Sequence, residues 1–307
     1  MIYESTVILS KAKNFKKKKG KKMTEKSTSQ YTREEYQQIR TVSIDVLKEF
    51  IRICDKYDLG YFAAFGTAIG AARHQGFIPW DDDIDVGMLR VDYDKFMAIA
   101  PQEMADKYDI YSAPIQKDIK GFYAQMFLKD TLFVTQANMM WQRHTGIKID
   151  IFPYDNIPKS KGERKKLYKQ LHFWNRLYII RNTKVPFFAE NNLVTKLTRT
   201  ICKVAYVVME ICGPSIDRII AKYVSLMTKY KEDTKVYTVM DDLTQDWWYL
   251  KREEIFPLKE MQFEDIKVKV PNKNHEILTR QYGDYMTPPP KEQQRGHDVV
   301  ILKGLKE

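Results

Sequence analysis

The sequence predicts an α+β fold in which short buried strands and amphipathic helices share one chain. Short apolar runs such as Tyr61–Phe65 have the composition of buried strands. Longer segments with apolar residues three and four positions apart indicate helices, and residues 160–230 show this pattern throughout. The 307 residues suffice for one large domain or two small ones. We expect one domain over residues 31–307 that includes a helical insertion at about 160–230.

The composition argues against several classes of protein. Apolar residues make up 44% and charged residues 30%, which is typical of a globular chain and not of a disordered, collagen-like or coiled-coil one. Three cysteines without a CxxC pair argue against a disulfide framework and a zinc finger, so we expect a reducing compartment. The apolar stretch at residues 201–216 is interrupted by Lys203, Glu210 and Gly213-Pro214, which argues against a transmembrane helix.

Most of the positive charge lies at the N-terminus. The formal net charge is +11, and residues 1–27, with nine Lys and two Glu, contribute +7 of it and leave +4 for the rest. Residues 1–30 are predicted to be a disordered basic tail, either solvated or tethered to an anionic membrane, and Met23 is an alternative start. The weakly charged remainder removes the main support for nucleic-acid binding by the folded part.

The first hundred residues contain alternating helix and strand patterns. Thr32-Arg33-Glu34-Glu35 fits a capping box, and a helix is predicted from there to about Tyr57. The elements predicted after it are a buried strand at Tyr61–Phe65, a turn at Gly66-Thr67, a helix at Ala68–His74, a strand at Asp81–Met88 and a helix at Tyr93–Met104.

Further strands and helices are predicted in the rest of the chain. Besides the helical residues 160–230, the predicted elements are a hairpin with arms Phe122–Phe127 and Leu132–Thr135, a strand at Gly146–Phe152 closed by Pro153, short strands within Phe256–Val270, and a helix at His275–Tyr282.

A run of aspartates carries the strongest chemical signal. Residues two apart on a strand share a face, so Asp81, Asp83 and Asp85 are predicted to point one way while Ile84 and Val86 pack into the core on the other side. Three close carboxylates repel one another unless a cation neutralises them, and oxygen ligands suit Mg²⁺ or Mn²⁺. Asp150, flanked by isoleucines on a later strand, is expected near the same cation, because an isolated buried charge is costly. The alternative for Asp150 is a carboxylate that faces solvent.

A calcium loop is a second interpretation of the aspartate run. Asp81, Asp83 and Asp85 have the spacing that opens an EF-hand loop. The sixth and twelfth positions of that loop require Gly and Glu, but here they are Val86 and Asp92. The sequence therefore argues against an EF-hand.

Gly66 and Thr67 lie between a predicted strand and a predicted helix. Glycine permits close approach of a ligand to the backbone, and a helix N-terminus offers free N–H groups to a phosphate. The alternative is an ordinary turn with Thr67 as the helix cap. Because the acidic strand follows directly, the turn is interpreted as a phosphate-binding element.

One long stretch of this sequence resembles a known family. Residues 65–85 read FGTAIGAARHQGFIPWDDDID, which is similar to the signature of the LicD family, a family that includes bacterial phosphocholine transferases and is related to fukutin and fukutin-related protein. Further similarity lies in Lys148–Pro153, Gln281–Met286 and His297, so the resemblance extends in islands over about residues 36–300. Asp265 departs from the pattern, since relatives often carry Gly there, but it affects a predicted turn and none of the acids.

The resemblance implies a nucleotidyltransferase-like mixed sheet flanked by helices. In that fold Gly66-Thr67 corresponds to the phosphate loop, Asp83 and Asp85 to the paired metal ligands, and Asp150 to the third acid. The resemblance also implies transfer of a phospho-alcohol, such as phosphocholine from CDP-choline, to a hydroxyl of a cell-surface glycan. The acceptor would be a lipopolysaccharide or teichoic acid precursor.

Several other residues extend the expected site. Asp81 is expected to be an outer metal ligand, and Asp150 to assist the acceptor hydroxyl as ligand or general base. Arg73 and His74 are expected to contact phosphate, or alternatively to complement the dipole at a helix C-terminus. His297 matches the family pattern and is expected to bind substrate. The histidines without metal-site spacing, expected to be structural or exposed, are His144, His172 and His275.

Aromatic and basic residues suggest how a choline and a membrane would be contacted. A choline head group requires an aromatic cage, although aromatic residues usually fill the core. The cage candidates are Trp80, Tyr123, Trp141, Trp247 and Trp248. The basic cluster at residues 164–169 is expected either to pack on the core or to lie on an anionic membrane that carries a lipid-linked acceptor. We therefore expect a cytoplasmic protein with peripheral contact to the inner face of the cell membrane.

Two other functions are alternatives to phospho-alcohol transfer. The same fold would serve a nucleotidyl or sugar-phosphate transferase that uses the same acids. From another class, a nucleic-acid-binding protein would use the basic tail, and its binding would be sensitive to salt.

Overall fold

The computed structural model describes residues 32–184, 192–240, 248–297 and 299–304, and the predicted basic tail lies outside them. The helices are α1 Arg33–Lys56, α2 Phe65–His74, α3 Arg90–Glu103, α4 Lys161–Asn182, α5 Leu193–Cys212, α6 Ile216–Met227, α7 Arg252–Ile255 and α8 Asn274–Tyr282. The strands are β1 Phe62–Ala63, β2 Asp85–Leu89, β3 Tyr108–Ser112, β4 Ala124–Leu128, β5 Leu132–Thr135, β6 Lys148–Asn156, β7 Val236–Val239, β8 Leu250–Lys251, β9 Lys259–Phe263, β10 Ile266–Val270 and β11 Val299–Lys303. The predicted α+β class is confirmed.

A mixed sheet forms the centre of the described chain. Its strands follow the order β1-β2-β6-β4-β3. In addition, β7 pairs with the C-terminal part of β6, and β8 pairs with β7. β2 and β6 run parallel, whereas β4 pairs with β6 and β3 pairs with β4 in antiparallel fashion. The long strand β6 therefore has β2 along one edge and first β4, then β7, along the other.

Helix α1 covers one face of this sheet. The Thr32 hydroxyl accepts from the Glu35 backbone N–H at 3.1 Å, and the Glu35 carboxylate accepts from the Thr32 N–H at 2.6 Å, which confirms the predicted capping box. Apolar residues three and four apart, among them Leu47 and Phe50, are fully buried, and α1 lies against β4 and β6. Burial of this stripe covers one face of the sheet, and the opposite face carries both an apolar cluster that includes Phe152 and Tyr154 and the buried carboxylate of Asp150.

While residues 185–191 lie outside the described ranges, the described part of residues 160–230 is mainly helical, as predicted, and forms α4, α5 and α6. Their apolar side chains join a second core cluster that includes Leu171 and Tyr223. Buried hydroxyls tie the helices to the sheet connections, because Tyr178 donates to the Ile119 carbonyl at 2.7 Å and Tyr223 donates to the Met240 carbonyl at 2.8 Å. Within the described ranges, no helix has the length and hydropathy that a membrane crossing requires.

Two boundaries around the acidic run differ from the prediction. Helix α2 begins at Phe65, so Gly66 and Thr67 lie in its first turn, and the cap is Ala64 instead of Thr67. Strand β2 begins only at Asp85, because the chain turns before it, with the Asp81 N–H donating to the Ile78 carbonyl at 2.9 Å. The prediction that Asp81, Asp83 and Asp85 share one strand face is therefore wrong.

The predicted hairpin is also wrong, although both of its arms are strands. β4 pairs with β3 and β6, while β5 pairs with β11 from the end of the described chain. Residue periodicity indicates that a strand exists, but it contains no information about a distant partner. The two strands are joined by a turn at Asp130, whose φ is 61°, and then join different sheets.

Pro153 does not end its strand, contrary to the prediction. The Asp150 N–H donates to the Ile84 carbonyl at 2.8 Å, so alternate N–H groups of β6 point towards β2 and the others point to the opposite edge. Residue 153 belongs to the second set, where β4 pairing has ended at Ile151 and β7 pairing has not yet begun at Tyr154. Proline is tolerated there because no ladder hydrogen bond needs its missing donor.

Candidate active site

Two aspartates meet across the parallel strands β2 and β6. Asp85 is the register partner of Asp150, and Gln125 on β4 is the partner of Asp150 on its other side. Partners in register point to the same face of a sheet, so these three polar side chains form a row across neighbouring strands. The row lies on the face opposite α1, because the flanking Ile149 and Ile151 are fully buried in the core beneath that helix.

Asp83 joins this pair from the loop that leads into β2. Ligand oxygens of Asp83, Asp85 and Asp150 all lie within 4.8 Å of one another. Asp83 is 8% exposed, whereas Asp85 and Asp150 are 1% and 4% exposed. The structure thus brings together the three acids that the sequence assigned to one cation.

The electrostatics of this cluster fit a cation. Burial raises the pKa of Asp85 well above its usual range, and the charges of Asp83 and Asp150 raise it further. Burial also raises the pKa of Asp83 despite nearby His297. The buried Oδ1 of Asp85 has no hydrogen-bond partner among the described residues. A buried, unsatisfied carboxylate oxygen beside two further acids is the donor set that Mg²⁺ or Mn²⁺ would satisfy.

Two residues that the sequence did not single out hold Asp150 in place. Lys148, two positions earlier on the same face of β6, forms an ion pair with Oδ1 of Asp150. Gln125 Nε2 donates to the same oxygen at 3.1 Å. The spacing of Lys148 and Asp150 was a detectable signal, since residues two apart share a face. Gln125 carried no signal, because its role depends on the register of a distant strand.

The first turn of α2 lies against the acidic loop. The Thr67 hydroxyl accepts from the Asp85 backbone N–H at 2.8 Å, which ties α2 to the start of β2. A Cβ atom on Gly66 would lie 2.6 Å from Oδ2 of Asp81, so only glycine permits this approach. Burial and the charge of Asp83 raise the pKa of Asp81 well above its usual range. Asp81 therefore borders the three-acid cluster at the helix N-terminus.

His297 reaches the site from the far end of the chain. Its Nδ1 lies 2.5 Å from Oδ1 of Asp82, and its Nε2 lies 3.8 Å from Oδ2 of Asp83. Burial lowers the pKa of His297, but the charges of Asp82 and Asp83 outweigh burial and raise it to about 9. The sequence predicted His297 as a site residue and missed Asp82, its hydrogen-bond partner, which lies between two of the predicted ligands.

Arg73 and His74 lie at the opposite end of α2 from Gly66. Arg73 follows Gly66 by seven positions in the helix, about 10 Å along its axis. Arg73 Nε donates to His74 Nε2 at 2.9 Å, and Arg73 Nη1 donates to the Tyr285 carbonyl. Both side chains thus have structural partners, and their contact with a phosphate stays a prediction.

Helix α1 supports the acidic loop from outside. Arg40 Nη2 donates to the Ile78 carbonyl at 2.6 Å and to the Asp81 carbonyl at 2.9 Å. The Tyr36 hydroxyl donates to the Asp81 carbonyl at 2.7 Å. These bonds fix the backbone of the loop that carries Asp81 to Asp83. The sequence placed these residues within a predicted helix and assigned them no role in the site.

The candidate cage residues are separated by the fold. Trp248 packs against Phe65 with ring centroids 5.6 Å apart, directly beside Gly66. Tyr123 is buried and stacks on Phe152 at 4.6 Å, and Trp141 is buried in the second core cluster. Trp80 lies beneath Arg73, and Trp247 is outside the described residues. Trp248 therefore contacts the first residue of α2.

Comparisons with known proteins agree with this architecture. The family model described as LicD/FKTN/FKRP, nucleotidyltransferase domain, matches residues 58–198. The chain is 31% identical over 262 residues to a protein named lipopolysaccharide cholinephosphotransferase LicD from Haemophilus influenzae, covering 84% of this chain and 94% of that protein. An uncharacterized protein of Rickettsia typhi is 40% identical over 57 residues, 19% of this chain and 18% of that protein. The chain therefore belongs to the LicD family, as the resemblance in residues 65–85 predicted.

Proposed function

We propose that this chain is a metal-dependent phosphotransferase that moves a phospho-alcohol from a CDP-activated donor to a hydroxyl of a cell-surface glycan. The relative from Haemophilus influenzae is named for choline phosphate and lipopolysaccharide, which supports phosphocholine as the group and a lipopolysaccharide precursor as the acceptor. A teichoic acid precursor is the other acceptor that we expect.

One observation carries the proposal, namely the convergence of Asp83, Asp85 and Asp150 within 4.8 Å. Phosphoryl-type transfer depends mainly on positioning and on neutralising negative charge, and carboxylates that hold a divalent cation supply both. These three acids would hold Mg²⁺ or Mn²⁺. When bound, the cation would shield the diphosphate and lower the pKa of the acceptor hydroxyl.

The protein groups around the acids have distinct roles in this proposal. Gly66 carries no side chain, so an anionic oxygen can approach the first turn of α2 closely, as the carboxylate of Asp81 does. The proposal places a donor phosphate beside this turn, because the helix N-terminus favours negative charge. Lys148 and Gln125 occupy Oδ1 of Asp150, which leaves Oδ2 for the cation. That arrangement favours Asp150 as a ligand over Asp150 as a general base. Asp82 fixes the ring of His297, whose Nε2 lies 3.8 Å from Oδ2 of Asp83, and in this proposal that ring would bind the donor phosphates.

The proposal is tested by the release of CMP from CDP-choline, with lipopolysaccharide as acceptor and Mg²⁺ present. Asp85→Asn and Asp83→Asn should each lower the rate by about a thousandfold, because each removes a ligand and a charge. The matched control is Asp130→Asn, an exposed site whose left-handed backbone Asn tolerates well, and it should leave the rate unchanged. Undiminished CMP release in both site variants would refute the assignment of the acids.

The identity of the alcohol is tested by a panel of CDP-choline, CDP-ethanolamine and CDP-ribitol. If Trp248 contacts the quaternary ammonium group, Trp248→Ala should weaken use of CDP-choline by about tenfold and leave CDP-ribitol unaffected. An equal loss for all three donors would show that Trp248 only supports the fold. If the chain uses none of the CDP-alcohols but turns over a nucleoside triphosphate or a sugar nucleotide, the result would favour the nucleotidyl or sugar-phosphate alternative.

A further inference from the structure

Helix α5 exposes a continuous apolar stripe. Its members recur three or four residues apart along the helix, and each remains between 51% and 84% exposed. We call this stripe the outward face of α5, and it consists of Leu193, Leu197, Ile201, Val204, Val208 and Ile211. This spacing places all six side chains on one side of the helix.

The amphipathic pattern of α5 is reversed relative to an ordinary surface helix. The side that packs on the protein carries small or polar residues such as Thr198, Cys202 and Ala205, and Met209 is the buried residue of the helix. An ordinary surface helix turns its apolar stripe towards the core and its polar side towards water. The exposed apolar stripe of α5 is therefore suited to contact with another apolar surface outside the folded chain.

A second exposed apolar area lies at the C-terminal end of α5. Phe173, which is 56% exposed, lines a cleft of about 380 Å³ together with Trp174, Cys212 and Arg218. This cleft lies where the C-terminal end of α5 meets α4 and the start of α6. The exposed surface thus combines aliphatic residues with two aromatic residues and a cation, which are the side chains typical of a membrane interface.

The outward face of α5 could be covered by a membrane or by a second copy of the chain, and the charge of this region favours the membrane. Helices α4, α5 and α6 together contain twelve Lys and Arg against three Asp and Glu. Lys196 and Lys203 are exposed along one margin of the outward face. A second copy would bring the same positive charge against it and be repelled, whereas anionic lipid head groups would be attracted.

We propose that the outward face of α5 inserts into the interfacial region of an anionic bilayer, with the helix axis parallel to the membrane plane. The apolar stripe would enter the acyl boundary while Lys196 and Lys203 remain among the head groups. This surface is distinct from the active site. The proposal extends the proposed function by placing the enzyme where a lipid-linked acceptor resides, but its test requires no turnover.

The test is flotation of the full chain with vesicles of phosphatidylcholine mixed with phosphatidylglycerol. The variant Leu197→Gln/Ile201→Gln/Val204→Gln should bind at least about tenfold more weakly, because it removes three apolar insertions. The matched control is Val91→Gln, since Val91 is 66% exposed but lies on α3, and it should bind as the original chain does. Vesicles of phosphatidylcholine alone should bind the original chain more weakly than the mixed vesicles.

Two results would overturn the proposal. One is unchanged flotation of the triple variant, which would assign any binding to other parts of the chain such as residues 1–31. The other is a dimer in sedimentation analysis that the triple variant abolishes, which would identify a second copy as the occupant of this face. Circular dichroism and CMP release of the triple variant should remain unchanged, so that failure of this proposal is distinguishable from failure of the transferase assignment.

Discussion

Asp85 is the residue at which stability and the proposed function conflict. Its carboxylate is 1% exposed, lies beside two further acids, and has one buried oxygen without a hydrogen-bond partner among the described residues. Such a group destabilises the folded chain unless a cation neutralises it. Functional sites commonly carry this kind of cost, which a neutral residue at the same position would remove.

The first prediction concerns the free energy of unfolding of Asp85→Asn in buffer that contains EDTA. The pKa of Asp85 is raised in the folded chain, so the folded state binds more protons and its stability falls as pH rises. Near neutral pH the variant should be more stable than the original chain by about 1 kcal/mol, and this advantage should shrink as the solution is acidified. Urea titrations at several pH values measure both quantities.

The control for this measurement is Asp130→Asn, whose exposed carboxylate should change stability by less than about 0.5 kcal/mol at every pH. If Asp85→Asn is less stable than the original chain at neutral pH without metal, Asp85 makes favourable contacts and the cluster does not require a cation.

The sequence predicted individual site residues unevenly. Asp83, Asp85 and Asp150 were found because clustered acids beside strand patterns have few explanations other than a cation. Gln125 and Arg40 were missed, because each contributes through a backbone or register contact with residues 25 to 41 positions away in the chain. Polar residues of that kind have no local pattern that distinguishes them from ordinary surface residues.

At the scale of elements, the parallel pair of β2 and β6 positions the candidate site. Gly87 lies two residues after Asp85 on the same face of β2, between the rings of Phe62 and Tyr154. A Cβ atom there would lie 2.6 Å from both rings, whose centroids are 5.0 Å apart. The glycine thus allows an aromatic pair from β1 and β6 to close over β2.

The second prediction is that Gly87→Ala loses about 1–3 kcal/mol of stability and also lowers the rate of CMP release, because the added methyl group must separate β2 from its neighbours. Thermal unfolding and the CMP assay measure the two effects. Gly162→Ala is the matched control, since the first heavy atom near its Cβ is 3.9 Å away and the residue lies at the exposed start of α4. A Gly87→Ala variant with full stability and rate would contradict the packing described for β2.

Local pattern predicted the presence of elements better than their partners. The capping box gave the start of α1 correctly, and the described part of residues 160–230 contains three helices, in agreement with the predicted helical pattern. Strands β3, β7 and β11 were missed because segments of four or five residues are too short to establish a periodic pattern. The hairpin was wrong because β5 pairs with a strand more than 160 residues away, a contact that no local pattern contains.

At the scale of the whole molecule, two core clusters are joined through the central sheet. One cluster lies between α1 and the sheet, and the other lies among α4, α5 and α6. Tyr178 and Tyr223 connect the second cluster to the segments that lead into and out of the sheet. This connection supports the predicted single domain over residues 31–307, which stays a prediction.

The third prediction is that Leu47→Ala and Leu171→Ala destabilise one and the same cooperative transition, each by about 2–5 kcal/mol, because both residues are fully buried in joined cores. Denaturation followed by circular dichroism and by tryptophan fluorescence should give coincident curves for both variants. A separate, earlier transition in Leu171→Ala alone would show that the helical insertion unfolds as an independent domain.

The central claim is that Asp83, Asp85 and Asp150 together hold one divalent cation, and the direct measurement is the change in melting temperature on adding Mg²⁺ to the metal-free chain. A ligand at a hundred times its dissociation constant stabilises the folded state by about 2.7 kcal/mol. For the original chain and for Asp130→Asn, we predict a rise in melting temperature that corresponds to a stabilisation of this order. For Asp85→Asn, we predict no rise in melting temperature. An equal rise in Asp85→Asn, or no rise in the original chain, would contradict the account.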